Sequence, residues 1–114
     1  MKNKILIAVF LFIESGINSL EYLKQLENDK VCVSYVKIMP QEEIGLHYDV
    51  LPQVVLALEG GVITCLSSEG VITEEVSFPT GEAVYRPKQT PAQIHKSVNR
   101  TNKPIVLIIT QLKD

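Results

Sequence analysis

The stretch GLHYDVLPQVVLALEGG, residues 45–61, sets a histidine and an aspartate two positions apart, just ahead of an apolar run that closes on two glycines. On an extended strand successive side chains alternate faces, so His47 and Asp49 are expected on one side, about 7 Å apart along the chain. Two readings of the pair stand. Aspartate ahead of Val-Leu-Pro is a common turn-starter, because its carboxylate bonds backbone two residues on, and a histidine at a strand end is commonly a hydrogen-bonded structural residue. Alternatively the pair is half of a metal site, completed by a donor from elsewhere in the chain. His95 is the only other histidine available.

Outward from this stretch the chain reads as short strands divided by turn residues. Val31 to Met39 is a β-branched run ended by Pro40 and followed by the polar QEEIG. Leu46 to Val50 leads to Pro52, and Val54 to Leu58 runs into Gly60-Gly61. Val62 to Leu66 and Val71 to Phe78 flank Ser67-Ser68-Glu69-Gly70, a hairpin loop with glycine where a left-handed residue is needed. Phe78-Pro79-Thr80-Gly81 is a further turn, and Glu82 to Arg86, Gln93 to Asn99 and Ile105 to Leu112 complete the set. Strands of this length and spacing predict an antiparallel sandwich or barrel. One helix is expected, from Asn18 to Glu27, with Asn18 as its cap and Leu20, Leu23 and Leu26 as its apolar stripe.

A chain of 114 residues has room for one core. Apolar residues at 46% and charged residues at 21% predict a folded globule rather than a disordered chain. The net charge of −2, with Lys and Arg scattered, gives no footprint for nucleic acid or an anionic membrane. Residues 1–25 form an N-terminal segment ahead of a barrel at 26–114. Met-Lys-Asn-Lys followed by the apolar run Ile5 to Ile13 has the charged start and short core of a secretory signal. It is too short to span a bilayer. Export to an oxidising compartment is therefore one expectation. Retention as a buried or swapped strand of a cytoplasmic protein is the other, because Ile13 and Ile17 sit where signal cleavage prefers small residues. Cys32 and Cys65 fit neither a metal motif nor a disulfide framework, and both are read as buried small apolar side chains, with a single disulfide as the alternative in an exported chain.

The same residues resemble the cupin superfamily, whose first motif runs His-x-His, three or four residues, Glu, six residues, Gly. Here His47, Asp49, Gln53 and Gly60 take those four places, with Val54 to Glu59 as the spacer. G81-E-A-V-Y-R-P87 resembles the opening of the second cupin motif, and His95-K-S-V-Asn99 its end. The resemblance covers residues 26–112, including LENDKVCV at 26–33 and NKPIVLIITQL at 102–112. The departures are Asp49 for the second histidine, Gln53 for the glutamate, no glycine after Pro87, and three extra residues before His95.

The resemblance implies an all-β fold: an antiparallel two-sheet, jelly-roll barrel, preceded by a short helix or apolar segment. It implies a mononuclear site for a divalent metal held by His47, Asp49, Gln53 and His95. Two imidazoles and one carboxylate suit Fe(II) or Mn(II), with Ni(II) or Zn(II) as alternatives, and leave positions open for a small substrate or dioxygen. The expected activity is an oxygenase- or isomerase-type step on a small molecule. Fe(II) oxygenases that use 2-oxoglutarate carry a similar His-x-Asp and distant His, but this chain is small for one and places no clear basic residue for the co-substrate. A barrel that binds or senses a sugar-like or polar metabolite without chemistry is the alternative, and a purely structural unit a third. Apolar runs such as Val54 to Leu58 leave both strand faces apolar, which predicts a homodimer. In GEAVYRP, Tyr85 and Arg86 are expected to face opposite sides as an amphipathic pair on a half-exposed strand, so that at most one of them lines the cavity mouth, and Lys96 is expected to face away from His95.

Overall fold

The computed structural model of the chain describes residues 21–47, 51–88 and 94–113, with the backbone alone at 45–47. Nine strands lie among them: β1 (Glu21–Glu27), β2 (Val31–Ile38), β3 (Glu43–His47), β4 (Gln53–Glu59), β5 (Gly61–Ser67), β6 (Ile72–Phe78), β7 (Ala83–Arg86), β8 (His95–Val98) and β9 (Ile105–Leu112). They form a five-stranded sheet ordered β1-β2-β9-β4-β7 and a four-stranded sheet ordered β3-β8-β5-β6. Every named strand pairing is antiparallel.

The alternation that specifies the sheets is cleanest in VCVSYVKI, where Cys32, Ser34, Val36 and Ile38 are buried and the residues between them are half-buried. A pleated strand turns alternate side chains to opposite faces, so one parity fills the core and the other faces outward. Val36, Ile38, Val55, Ala57, Ile105 and Leu107 from one sheet meet Ile63, Cys65, Val76 and Phe78 from the other in a single buried cluster. Ile38 and Ile105, paired across β2 and β9, seal one end of it.

The expected helix over Asn18 to Glu27 is a strand from Glu21 onward, and Asn18 and Leu20 lie outside the described residues. The pairing of β1 with β2 slips between Lys24 and Leu26, a bulge that leaves Gln25 unpaired. An inserted residue resets the alternation, so Leu23 and Leu26 share the outer face at a spacing of three. That spacing is what imitated a helical stripe. The far end of β1 is anchored by Glu27, whose carboxylate meets the Lys113 ammonium at 2.6 Å. Hydrogen bonds from Lys113 and then from Lys24 hold its carboxyl below the usual range.

The strand expected at Leu46 to Val50 begins earlier, at Glu43. The polar QEEIG contributes to it because Glu43 points outward, where it meets Lys96 at 3.6 Å, while Ile44 packs against the core. Residues 48–50, and with them Asp49, lie outside the described residues.

Both expected turns form. Ser67 N–H donates to the Val71 carbonyl at 2.8 Å, and Gly70 takes a φ of 85°, which a residue without a Cβ adopts without strain. At the end of β4, Gly60 N–H donates to Thr80 Oγ1 at 2.8 Å and Gly81 N–H to the Ala57 carbonyl at 2.8 Å. A Cβ on Gly60 would land on the Phe78 carbonyl oxygen and lie 2.7 Å from the Thr80 nitrogen, both of them backbone atoms with little room to yield. Gly60→Ala is therefore expected to lower stability by about 3 kcal/mol, at the upper end of ordinary overpacking. A urea midpoint unchanged from wild type would contradict the close approach.

Among the described residues no helix is long and apolar enough to cross a membrane.

Candidate functional site

The inner face of the five-stranded sheet grades from apolar to polar along the strands. Ile38 and Ile105 lie at one end, Val36, Leu107 and Ala57 follow, and then Ser34, Ile109, Val55 and Val84. The last inward row is Cys32, Gln111, Gln53 and Arg86, each the register partner of the next across β2, β9, β4 and β7. The four-stranded sheet grades the same way. Ile44 and Cys65 flank Ser97, and His95 lies two residues further along β8, where the backbone register pairs it with His47 of β3 and Ser67 of β5. A cavity of about 120 Å³ lies between the two faces, walled by Val36, Val55, Ile63, Phe78, Leu107 and Ile109, with Gln53, Gln111, Arg86, His95 and Ser97 also lining it.

Of the four candidate ligands, Gln53 and His95 line this one cavity, from opposite sheets. His95 is buried. The Cα atoms of His47 and His95 are direct partners across β3 and β8, which puts them about 5 Å apart. Asp49 falls outside the described residues. Among the described residues no group of three His, Cys, Asp or Glu side chains gathers closely enough to hold a metal ion. A divalent cation would thus draw on one described imidazole, one neutral amide oxygen, the register-paired His47, and the carboxylate two residues beyond it.

The other polar residues follow from strand parity. Arg86 turns inward and Tyr85 outward, as alternation requires. The Arg86 guanidinium makes a two-pronged contact with the Glu74 carboxylate at 3.0 and 3.1 Å. Because β7 and β6 are edge strands of different sheets, this ion pair closes a side of the barrel where no backbone pairing does. Lys96 faces away from His95, as expected, and meets Glu43. Cys32 and Cys65 are both buried free thiols. Burial pushes the Cys32 thiol up, which makes it unreactive. Tyr22 reaches the cavity from β1 and accepts a hydrogen bond from Ser34 Oγ at 2.9 Å. Burial raises its phenol above the ordinary value, so it stays protonated.

Sequence reasoning passed over Gln111, Ser97, Glu74 and Tyr22. For Gln111 a signal existed: in IVLIITQL it is the one polar residue on the parity of Ile105, Leu107 and Ile109. Glu74 likewise shares the parity of Val76 and Phe78.

The two sheets, their strand order and the cavity between them define a double-stranded β-helix barrel of the cupin type. Solved structures agree. A cupin domain from Bordetella pertussis Tohama I superposes with a TM-score of 0.70 at 21% identity, covering 83% of this chain and 94% of that one. An RmlC-like cupin family protein from Methanocaldococcus jannaschii superposes at 0.61 with 13% identity, covering 85% and 83%. A polyketide cyclase from Streptomyces resistomycificus superposes at 0.58 with 17% identity, covering 85% of this chain and 67% of the cyclase. No family model matches the sequence, and no curated protein matches it.

Proposed function

We propose that the barrel admits one small molecule to its cavity and acts on it, in an oxygenase- or isomerase-type step, with a divalent metal held by His47, Asp49, Gln53 and His95. Register is the observation that carries this reading: His47 is directly opposed to His95, and His95 shares a cavity with Gln53. When bound, such a metal supplies Lewis-acid polarisation of a substrate oxygen. The chain's own residues do the rest. The aliphatic walls seat the substrate's apolar body, Gln111 orients it, and Arg86 with Glu74 closes the flank. A cavity of about 120 Å³ is well below the several hundred Å³ of a drug-sized pocket, so the substrate is a compact metabolite. Elemental analysis of the purified protein and of its ligand variants tests this reading.

A metal-free binding or sensing barrel is the second reading, favoured by the predominance of aliphatic walls. It predicts thermal stabilisation by a small molecule that persists in EDTA.

We also propose that the functional unit is a homodimer through the outer face of the five-stranded sheet. Leu23, Tyr35, Ile108 and Leu56 form one outward row across four strands, and Leu26, Val33, Thr110, Val54 and Tyr85 another across all five. Leu23, Leu26 and Tyr85 are 56%, 53% and 60% exposed, which leaves a broad apolar surface for a second copy to cover about a two-fold axis. Light scattering at micromolar concentration is expected to give twice the chain mass, and the chain mass for a Leu23→Lys, Tyr85→Lys double variant. A monomeric wild type would refute the dimer.

A further inference from the structure

We propose that Gln111 is a specificity-determining residue of the cavity, whose side-chain amide reads a hydrogen-bond donor on a small, uncharged ligand. The inference rests on the reading above only in taking the cavity as a small-molecule site, and needs no metal.

Gln111 is 9% exposed and its Oε1 is buried, yet that oxygen has no hydrogen-bond partner among the described residues. A buried amide oxygen without a donor destabilises the fold that contains it, and such groups are few in native proteins. A leucine or methionine on this strand would fill the same space without that penalty. The retained amide is explained if a ligand supplies the missing donor. Gln111 lines the cavity, and the terminal torsion of glutamine is soft, so a rotation of the amide plane can aim its oxygen at a ligand there.

The neighbours define what is read. Arg86, the one formally charged side chain of the described lining, already faces the carboxylate of Glu74 at 3.0 Å, so the wall offers no unbalanced positive charge to an anion. Gln53 beside Gln111 adds a second neutral amide. Beyond them the cavity is walled by Val55, Leu107 and Ile109, which demand an aliphatic body. A space of about 120 Å³ admits a ligand of a few heavy atoms. The ligand class is therefore a short aliphatic molecule ending in a hydroxyl or a primary amide.

The test uses three probes of four carbon atoms each and the full chain in EDTA: 1-butanol, its isomer methyl propyl ether, and butyrate. Dissociation constants come from NMR titration of backbone and side-chain amide resonances. Wild type is expected to bind the alcohol about three- to tenfold more tightly than the ether, the factor one neutral hydrogen bond supplies, with butyrate weakest. In Gln111→Met the alcohol and the ether should bind equally. The ligand-free variant should melt higher than wild type, by on the order of 5 °C, because the unmet acceptor is gone. Equal binding of alcohol and ether to wild type would overturn the role of Gln111 while leaving the cavity as a ligand site. Tightest binding of butyrate would overturn the uncharged class, and no binding of any probe would overturn the inference as a whole. The wild-type comparison decides even where the variant folds poorly. None of these outcomes bears on metal loading, which elemental analysis decides separately.

Discussion

Replacing Asn99 with alanine is expected to lower stability by about 4 kcal/mol, the loss of four hydrogen bonds at about 1 kcal/mol each. Asn99 is fully buried. Its Nδ2 donates to the carbonyls of Ile38 at 2.9 Å and Lys103 at 2.8 Å. Its Oδ1 accepts from the Thr101 N–H at 3.0 Å and the Thr101 hydroxyl at 2.6 Å. One side chain thereby ties the end of β2 to the loop between β8 and β9. Its backbone ties in the β2–β3 turn as well, accepting from Gln41 N–H at 2.6 Å and donating to the Glu42 carbonyl at 3.0 Å. Gln41 sits there at a φ of 68°, a left-handed conformation that a side chain adopts only under surrounding constraint. Asn99→Asp separates hydrogen bonding from packing. It keeps the shape and the acceptor, but it cannot donate to Ile38 and Lys103, and it buries a carboxylate against two carbonyl oxygens. It should lose at least as much stability as Asn99→Ala. Urea denaturation measures both, and a thermal midpoint should fall by on the order of 15 °C. An alanine variant within 1 kcal/mol of wild type would show that the loops are held by other contacts.

The second-motif asparagine, four residues after His95, was legible as a position but not as a job. Spacing identifies a place in a pattern, whereas the four bonds of Asn99 exist only once β2 and the β8–β9 loop are brought together. The same divide runs through the fold. β2 and β4 to β9 could be read from the sequence because parity, glycine and proline are local signals. β1 could not, because a bulge at Gln25 converts a two-residue period into a three-residue one, and nothing in EYLKQLE marks the bulge. The start of β3 is hidden because a glutamate at an outward position looks like loop until Lys96 is known to lie within reach of it. Of the candidate ligands that the spacing singles out, His95 and Gln53 line the cavity. Gln111 has a parity signal, but nothing in the sequence says that parity leads into a cavity rather than a filled core.

The largest functional effect is expected at the proposed metal site. Protein purified without chelator should carry Fe(II) or Mn(II), or take up one equivalent of either on addition, with Ni(II) or Zn(II) as weaker substitutes. Two imidazoles, one carboxylate and an amide oxygen form a mixed nitrogen and oxygen set of intermediate hardness, unlike the thiolate-rich, four-coordinate cage of a structural zinc. The two thiols of the chain do not compete for that role. Cys32 is register-paired with Gln111 and Cys65 with Ser97, on different sheets, and Cys32 is held protonated by burial. His47→Ala, Asp49→Ala and His95→Ala should each abolish stoichiometric loading. Gln53→Ala should weaken it by less, because a neutral amide contributes one soft-charged oxygen to a set that the other three already define. Gln53→Glu, which restores an anionic ligand at that position, should instead tighten it. Uptake should fall below about pH 6, since an imidazole must be deprotonated to bind. The variants distinguish this site from adventitious binding at the surface, where loss of one histidine would lower uptake in part and a glutamate at position 53 would change nothing. Protein that stays metal-free against all four cations at pH 7.5, with His95→Ala indistinguishable from wild type, would refute the metal site and leave the cavity to ligand binding alone.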